Sequence, residues 1–148
     1  MSYVSPDPAF DGEAIARGDI DLDVGTLAKA ISWVEDGGKL PDTFLDAGKA
    51  KSQTIGITGS PGVGKSTLTS AIVKAIRKAG ELVAVLAVDP SSPITGGALL
   101  GDRIRMQEHY LDDGVYIRSM GSRGHLGGLA AATPQAIALV AGAGFTQI

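Results

Sequence analysis

The sequence predicts an α/β fold with a mainly parallel sheet and flanking helices, and three observations support this prediction. First, short apolar or β-branched runs alternate with segments whose apolar residues recur at helical spacing. Second, the run Leu82–Val88 is apolar without interruption, as is typical of a strand that is covered on both faces. Third, a glycine-rich loop separates the β-branched run Thr54–Thr58 from a helical pattern. Strands and helices that alternate in this way favour parallel pairing.

Residues 1–50 are predicted to form a helical extension and linker, followed by the α/β unit in residues 51–148. Residues 1–22 are polar and contain prolines, so we expect a mobile lead-in. An amphipathic helix is predicted from about Gly25 to Asp36, because apolar residues recur there at helical spacing and two glycines follow. These residues are Leu27, Ala30, Ile31 and Val34. The polar stretch Lys39–Ser52 is predicted to be a linker with some helix.

Six elements are predicted within the α/β unit. In chain order they are strand Thr54–Thr58, helix Lys65–Ala79, strand Leu82–Val88, helix Leu99–Tyr110, strand Val115–Ser119 and a last helix from Thr133-Pro134 to about Val140. Gly80 is well placed to end the first of these helices. Thr133 is predicted to cap the last helix, with Pro134 at its first helical position.

Composition and charge exclude several classes of function. The 148 residues leave room for one domain with a single core. The net charge of −3 lacks the basic excess of a nucleic-acid-binding surface, so no nucleic-acid partner is expected. Cysteine is absent, which excludes a disulfide framework and a thiolate metal site. The longest apolar run is too short to cross a membrane and the N-terminus lacks a targeting pattern, so we expect a cytoplasmic protein.

The loop after the first predicted strand matches the pattern GxxxxGK[ST] and carries the strongest functional signal. It comprises Gly59, Ser60, Pro61, Gly62, Val63, Gly64, Lys65 and Ser66. Glycines allow successive backbone N–H groups to surround a phosphate, and a helix that begins at Lys65 adds its positive end. Lys65 is predicted to reach the β- and γ-phosphates of a nucleotide, Ser66 to bind magnesium and Thr67 to contact the α-phosphate. The alternative, a glycine-rich turn that carries a lysine by chance, does not explain the flanking strand and helix.

Two aspartates further along the chain are candidate magnesium ligands. Asp89 ends the second predicted strand, where open α/β sheets bind ligands, but it fits a cap for the following turn equally well. Asp102 follows three glycines, and either belongs to a mobile segment that approaches magnesium or begins a solvated helix. The same alternatives apply to Arg103 and Arg105, which could reach a phosphate.

The two histidines are weaker candidates. His125 lies in a second glycine-rich loop, Ser122–Gly128, where a hydrogen-bonding structural role is a simpler interpretation than a catalytic one. The other histidine is His109, and the spacing between the two indicates no metal site.

Three longer stretches point to a family. They read GITGSPGVGKSTL, VLAVDPSSPITGGALLGDRIRM and YIRSMGSRGHLGGLAAAT. Together they resemble the MeaB/ArgK family of P-loop GTPases, over about Leu27 to Gly144 and including the N-terminal helix LAKAISWVEDG. The resemblance implies a P-loop NTPase fold that binds GTP or GDP together with Mg²⁺, related to the wider group of metallochaperone GTPases.

The resemblance also implies residue roles and a partner. Lys65, Asp102 and Arg105 are expected to act in catalysis, with Arg105 in a switch segment that also holds Arg103. Magnesium is expected to lie near Ser66, Asp89 and Asp102. Family members assist adenosylcobalamin-dependent methylmalonyl-CoA mutase, or a related mutase, in cofactor loading and protection, and the full-length protein is expected to be a homodimer.

Other functions remain open at the level of the residues. The phosphate loop alone would equally permit an ATP-dependent kinase, of the transport-system type or acting on a small molecule or protein. A metallochaperone of the nickel-insertion type is disfavoured, because those proteins carry histidine or cysteine clusters and this chain has none.

The resemblance further implies that the chain is the N-terminal portion of a longer protein. In the family, a Glu-Thr-x-Gly motif, a guanine-reading Asn-Lys-x-Asp motif and a dimerisation segment follow the strand that begins near Gly144. These motifs do not occur in the 148 residues. The chain alone is therefore expected to expose Ile55, Ile57 and Leu82–Val88, to be poorly stable, and to be inactive or to hydrolyse GTP negligibly.

Overall fold

The computed structural model describes residues 10–93, 106–122 and 128–148. Its helices are α1 (Gly12–Arg17), α2 (Val24–Glu35), α3 (Asp42–Lys51), α4 (Lys65–Lys78) and α5 (Gly128–Gly142). Its strands are β1 (Val83–Pro93) and β2 (Val115–Ser122), and a 3-10 turn at Gln107–His109 precedes β2. Within these ranges, none of the helices has the length and apolar character needed to cross a bilayer.

The two strands form a small parallel sheet, as the sequence predicts. Residues pair in continuous register from Val83 opposite Val115 to Asp89 opposite Gly121, after which the register shifts. Asp89 therefore marks the end of the regular pairing, although β1 itself runs on to Pro93.

The last three residues of the chain lie between β1 and the segment that precedes the glycine-rich loop. The N–H of Ala84 donates to the carbonyl oxygen of Gln147 at 2.8 Å, on the β1 side. On the other side, the N–H of Gln53 donates to Thr146 and the N–H of Ile55 donates to Ile148, both at 2.8 Å. Both pairings are parallel, so the sheet direction continues from β2 through β1 to the loop segment.

Helices cover both faces of this sheet. Because side chains alternate along a strand, neighbouring residues of β1 and β2 face opposite layers. One face joins α2, α3 and α5 in the larger apolar core through Ala84, Leu86, Tyr116 and Met120. The other face meets α4 through Val83, Val85, Val115 and Ile117. From Val83 to Leu86 the apolar run of β1 is therefore covered on both faces, as predicted, whereas Leu82 and Val88 at the ends of the run are exposed.

The predicted mobile lead-in is wrong for residues 10–22. Asp11 caps α1 by accepting a hydrogen bond from the N–H of Glu13, and Gly18 ends the helix in a left-handed conformation. Ile15 is buried in the larger core, and Phe10 lies against Trp33 with ring centroids 6.2 Å apart. This apolar burial stabilises α1, a helix that the polar composition of residues 1–22 did not predict.

The two helices predicted most clearly are confirmed. The helix expected from about Gly25 to Asp36 is α2, capped by Asp23, whose carboxylate accepts the N–H of Thr26 at 2.7 Å. The helix expected at Lys65–Ala79 is α4, with Gly80 just beyond its end at φ 82°. The predicted linker contains α3, which packs on α5.

The predicted start of the last helix is wrong. The helix begins at Gly128, so Pro134 lies inside α5 and not at its first position. A proline inside a helix removes one hydrogen bond and costs about 3 kcal/mol. Full burial of Ala136, Leu139 and Val140 against the core offsets that cost.

Two further predictions are corrected in part. The run Thr54–Thr58 is not a strand: Ile55 donates a backbone hydrogen bond to Ile148, and the isolated bridge to Gln147 is made by Gln53, just before the run. Of the predicted helix Leu99–Tyr110, residues 99–105 lie outside the described residues, and Gln107–His109 is a 3-10 turn. The chain turns there to enter β2.

The expected exposure of apolar strand residues is found at some positions. Ile55, Leu82 and Val88 are among the exposed large hydrophobic residues. Ile57 is half-buried, and within β1 the side chains of Val83 and Ala84 are buried by the helical layers.

We predict that Gly48→Ala destabilises the fold by about 1–3 kcal/mol, the usual cost of overpacking. A Cβ at Gly48 of α3 would lie 2.8 Å from the Cα of Ala138 in α5, so the two helices would have to separate. Gly25→Ala is the matched control, because a Cβ at this helical position would meet only Asp23 Oδ1, at 3.5 Å. Urea denaturation of both variants checks the prediction, and equal stabilities would contradict it.

Candidate functional site

The glycine-rich loop leads directly into α4, so the loop backbone and the first turn of the helix lie together. Gly62 and Gly64 have φ angles of 79° and 96°, a left-handed conformation that residues with a Cβ rarely adopt. The carbonyl oxygen of Gly64 accepts the N–H of Leu68 at 2.9 Å, which is the first hydrogen bond of the helix. The loop is exposed from Gly59 to Gly64. The first N–H groups of α4 therefore lie beside the solvent-exposed backbone of the loop. This arrangement favours the binding of an anion.

The side chain of Lys65 folds back over this loop. Its Nζ donates to the carbonyl oxygen of Gly59 at 2.7 Å and to that of Ser60 at 2.9 Å. An ammonium group has three N–H donors, so these contacts use two of them. They hold a positive charge directly above the loop, beside the positive end of the helix.

The next two residues continue the first turn of α4. Ser66 is half-buried and Thr67 is exposed, one and two positions after Lys65. Thr69, one turn later, is occupied within the helix, since its hydroxyl donates to the carbonyl oxygen of Lys65 at 2.8 Å. Ser66 and Thr67 are therefore the hydroxyl groups closest to the loop along the helix.

Of the residues predicted to hold magnesium, the structure describes Ser66 and the backbone of Asp89. The hydroxyl of Ser66 is an oxygen donor of the kind that Mg²⁺ prefers, and it lies in the first turn of α4 beside Lys65. The backbone of Asp89 lies at the end of the regular strand pairing, where the sequence places it, but its side chain is outside the described residues. Within the described ranges, histidine and acidic side chains form no group of three that could hold a metal ion.

The remaining predicted site residues fall outside the description of the structure. They are Asp102, Arg103, Arg105 and His125. Their proposed roles in catalysis, magnesium binding and switching stay predictions.

Sequence reasoning missed a polar contact between the middle of α4 and the 3-10 turn. The hydroxyl of Ser70 lies 2.5 Å from Glu108 Oε1 and 2.9 Å from the Nε2 atom of His109. Lys74 Nζ lies 2.7 Å from the other oxygen of Glu108. His109, which the sequence offered as an isolated histidine, is buried in this contact. The sequence indicates only that Ser70 and Lys74, four residues apart, lie on one side of a helix. Their partner Glu108 lies almost forty residues after Ser70, so the contact itself could not be predicted.

A bidentate ion pair lies one turn further along α4. Arg77 donates from Nε to Asp112 Oδ2 and from Nη2 to Asp112 Oδ1, both at 2.9 Å. Asp112 also accepts the N–H of Gly114 at 2.9 Å. The Arg77 guanidinium, followed by the Gly114 N–H, holds the pKa of Asp112 below its ordinary value. The same ion pair raises the pKa of Arg77.

We expect this ion pair to make stability depend on pH in the acid range. A carboxyl group whose pKa is lowered by folding stabilises the fold above its unfolded pKa, here 3.8, and that contribution is lost as pH falls through the lower folded value. The melting temperature of the wild type should therefore decline as pH falls below 3.8, more steeply than that of Asp112→Asn. Arg77→Met removes the cause of the shift and should flatten the decline similarly. Parallel curves for all three proteins would contradict the prediction.

A second polar contact that the sequence did not reveal lies on the opposite face of the sheet. Arg118 of β2 donates to Ser32 Oγ at 2.7 Å and to Glu35 Oε2 at 3.1 Å, both on α2. The side chains of Arg118 and Glu35 are 19% and 2% exposed, so this is a nearly buried ion pair. The pair joins α2 to β2.

The fold and the loop define an α/β protein in which a glycine-rich loop opens a helix beside a parallel sheet. Residues 27–148 match the family model described as methylmalonyl Co-A mutase-associated GTPase MeaB. The chain belongs to this MeaB family, and the resemblance drawn from its three motifs is confirmed.

Two bacterial relatives and one mammalian relative agree with this assignment. A protein of Mycobacterium tuberculosis named as a probable GTPase is 47% identical over 160 aligned positions, which cover 100% of this chain and 46% of that protein. GTPase ArgK of Escherichia coli is 39% identical, over 83% of this chain and 39% of its own length. The mouse methylmalonic aciduria type A homolog, a protein named as mitochondrial, is 44% identical over 68% of this chain and 24% of its own length. The chain thus spans about half or less of the length of these relatives.

Proposed function

We propose that Gly59–Thr67 is the phosphate-binding loop of a P-loop NTPase. The observation that carries this proposal is the position of Lys65 Nζ, held over the loop by the carbonyl oxygens of Gly59 and Ser60. A phosphate on the loop would meet that ammonium group, the loop N–H groups and the N-terminus of α4 together. Three sources of positive potential at one exposed point suit a di- or triphosphate better than a neutral ligand.

We infer that magnesium accompanies the nucleotide. Ser66 supplies an oxygen ligand from the first turn of α4, and Asp89 and Asp102 are proposed to complete the site from the carboxyl side of the sheet. A bound magnesium ion neutralises phosphate charge. The part of this chain is to orient the ion through Ser66 and the phosphates through Lys65. Arg105 and Arg103 are proposed to approach the phosphates from the neighbouring segment.

For a protein of the relatives' length, we propose GTP hydrolysis in support of a methylmalonyl-CoA mutase. The family description and the names of the relatives support guanine nucleotides and a mutase as the partner. The finer proposal is assistance in loading and protecting the adenosylcobalamin cofactor of that mutase, by a homodimer in the cytoplasm. The division of the chain near residue 50 into a helical extension and a nucleotide-binding unit is proposed with it.

Titration of the purified chain with fluorescent GDP, GTP and ATP analogues, in the presence of magnesium, tests the proposal. The 148 residues contain no Asn-Lys-x-Asp sequence, so we expect binding to the phosphates with little preference between guanine and adenine. A marked preference for ATP would favour the kinase alternative. Failure of a folded chain to bind any of the three would overturn the phosphate-loop proposal.

Hydrolysis is a separate expectation for this chain. Release of phosphate from GTP is expected to be negligible, because the family motif that supports the attacking water does not occur in the sequence. A phosphate-release assay at saturating GTP checks this. Turnover well above the rate of buffer alone would show that the residues present suffice for catalysis.

A further inference from the structure

The phosphate end of α4 has little apolar contact with the sheet. Val73 is the buried residue of α4, and the smaller core also takes in Ile76 from the same helix. Both lie in the second half of the helix, whereas Leu68 in the first half is 53% exposed. The apolar contacts alone would therefore leave the turn that carries Lys65 and Ser66 free to tilt about a point roughly two turns away.

Among the side-chain contacts that the described residues make with α4, the one nearest to that turn is polar. Ser70, five residues after Lys65, bonds to Glu108 and His109 of the 3-10 turn. The serine hydroxyl has one proton, and an ionised carboxylate can only accept, so Ser70 donates to Glu108 at 2.5 Å. The Oγ atom then accepts from His109, which places a proton on Nε2 of that ring. The bonds form a directed chain from His109 through Ser70 to Glu108.

Lys74 completes the contact. Its ammonium lies 2.7 Å from Glu108 Oε2, so the two oxygens of this carboxylate bind two successive turns of α4. The hydrogen bonds from Lys74 and then Ser70 lower the pKa of Glu108, in keeping with a carboxylate that is held in its charged form. Charge-assisted hydrogen bonds of this kind are shorter and more directional than neutral ones.

One side of α4 thus contacts the segment 106–114. Ser70, Lys74 and Arg77 are spaced at four and three positions, so they lie along one side of the helix. Arg77 extends the contact to Asp112, and a Cβ at Gly114 would collide with its guanidinium. Helix α4 thus has polar contacts on this side and apolar contacts on the side that meets the sheet.

We propose that Ser70, Lys74 and Glu108 are positioning residues for phosphate binding. They fix the axis of α4 near its N-terminal end, and so hold Lys65 and Ser66 at the loop. The assignment rests on the proposed phosphate-binding function. Its physical reason is that a helix anchored only through Val73 and Ile76 would move its first turn relative to the loop strand, and small misplacements of binding groups are costly.

The test is a titration of the chain with a fluorescent GDP analogue and magnesium. Glu108→Gln, which keeps the shape of the side chain, and Ser70→Ala are expected to weaken binding roughly 2- to 30-fold, the range for contacts remote from a ligand. Lys74→Glu should weaken binding similarly, and combining it with Glu108→Lys should restore a large part of the loss. Lys49→Met is the matched control, since it removes a lysine paired with Asp46 on the surface of α3.

A second control variant distinguishes a positioning role from a general loss of stability. Val73→Ala removes apolar contact from the same helix without touching the polar one, and melting curves place all variants on one stability scale. The proposal is supported if the Glu108 and Ser70 variants lose more affinity than Val73→Ala at equal melting temperature. It is overturned if affinity follows melting temperature alone, or if these variants bind as well as the wild type.

The outcome also distinguishes this proposal from the one on which it rests. If the wild type binds in a way that needs Lys65 and the Glu108 and Ser70 variants bind equally, phosphate binding stands and positioning fails. If the folded wild type does not bind the analogue at all, the phosphate-binding function fails, and the positioning role with it.

Discussion

Lys65→Ala is expected to weaken the binding of GDP and GTP analogues by roughly 10- to 150-fold, as hydrogen bonds to a charged group typically contribute about 1.5–3 kcal/mol. The ammonium of Lys65 lies over the loop through bonds of 2.7 and 2.9 Å to Gly59 and Ser60. Replacing the lysine side chain with the methyl group of alanine removes the one mobile positive charge that the first turn of α4 would bring to the phosphates. The backbone N–H groups and the helix end remain, so weak binding should persist.

The measurement is a fluorescence titration of wild type and variant under the same salt and magnesium conditions. Lys78→Ala is the matched control, because it removes the same charge from the exposed last residue of α4. That residue lies about 20 Å from Lys65 along the helix axis at 1.5 Å per residue. If both variants lost affinity to the same degree, general electrostatic attraction would explain the binding and a specific role for Lys65 would be wrong.

Breaking the buried ion pair is expected to cause the largest loss of stability. Arg118→Met should lower the free energy of unfolding by about 3–5 kcal/mol, because removal of one partner leaves a charge in a desolvated place. Glu35 is 2% exposed, so water cannot replace the guanidinium without opening the contact between α2 and β2. Denaturation by urea, followed by tryptophan fluorescence, measures this loss, since the single tryptophan, Trp33, is a buried residue of α2, the helix that carries Glu35.

Two further variants make this prediction specific. The double variant Glu35→Leu/Arg118→Met should be less destabilised than Arg118→Met alone, because it no longer buries an acidic group without its arginine. Arg17→Met breaks the exposed ion pair with Asp19 and should change stability by less than about 1 kcal/mol. A cost for Arg118→Met as small as that of Arg17→Met would show that the buried pair contributes little.

The parts of the fold that depend on contiguous residues could be predicted from the sequence. The helix α2 follows from apolar residues at helical spacing, and α4 from the same signal together with Gly80. The glycine-rich loop could be recognised because the pattern GxxxxGK[ST] occupies eight successive residues. Family membership followed for the same reason, since the three motifs that carry it are unbroken stretches of sequence.

The incorrect predictions concern segments in which the burial of apolar side chains outweighs the local sequence pattern. Residues 10–22 have the composition of a mobile segment, but Ile15 and Phe10 pack against the core and stabilise α1. Pro134 is a strong sign of a helix start, but the buried residues after it stabilise a longer helix that begins at Gly128. In both places, the deciding energy comes from residues that are distant in the chain.

The sequence by itself determined the family, the parallel α/β pattern and the loop Gly59–Ser66, because each depends on residues that are adjacent or one helical turn apart. Only the tertiary structure decided which side chains meet across the chain. Ser70 with Glu108 and Arg118 with Glu35 are separated by 38 and 83 positions, and no periodicity connects them. The physical reason is that a charged or polar side chain pairs with the group that the fold places next to it. That partner is set by the packing of α2 and α4 on opposite faces of the sheet.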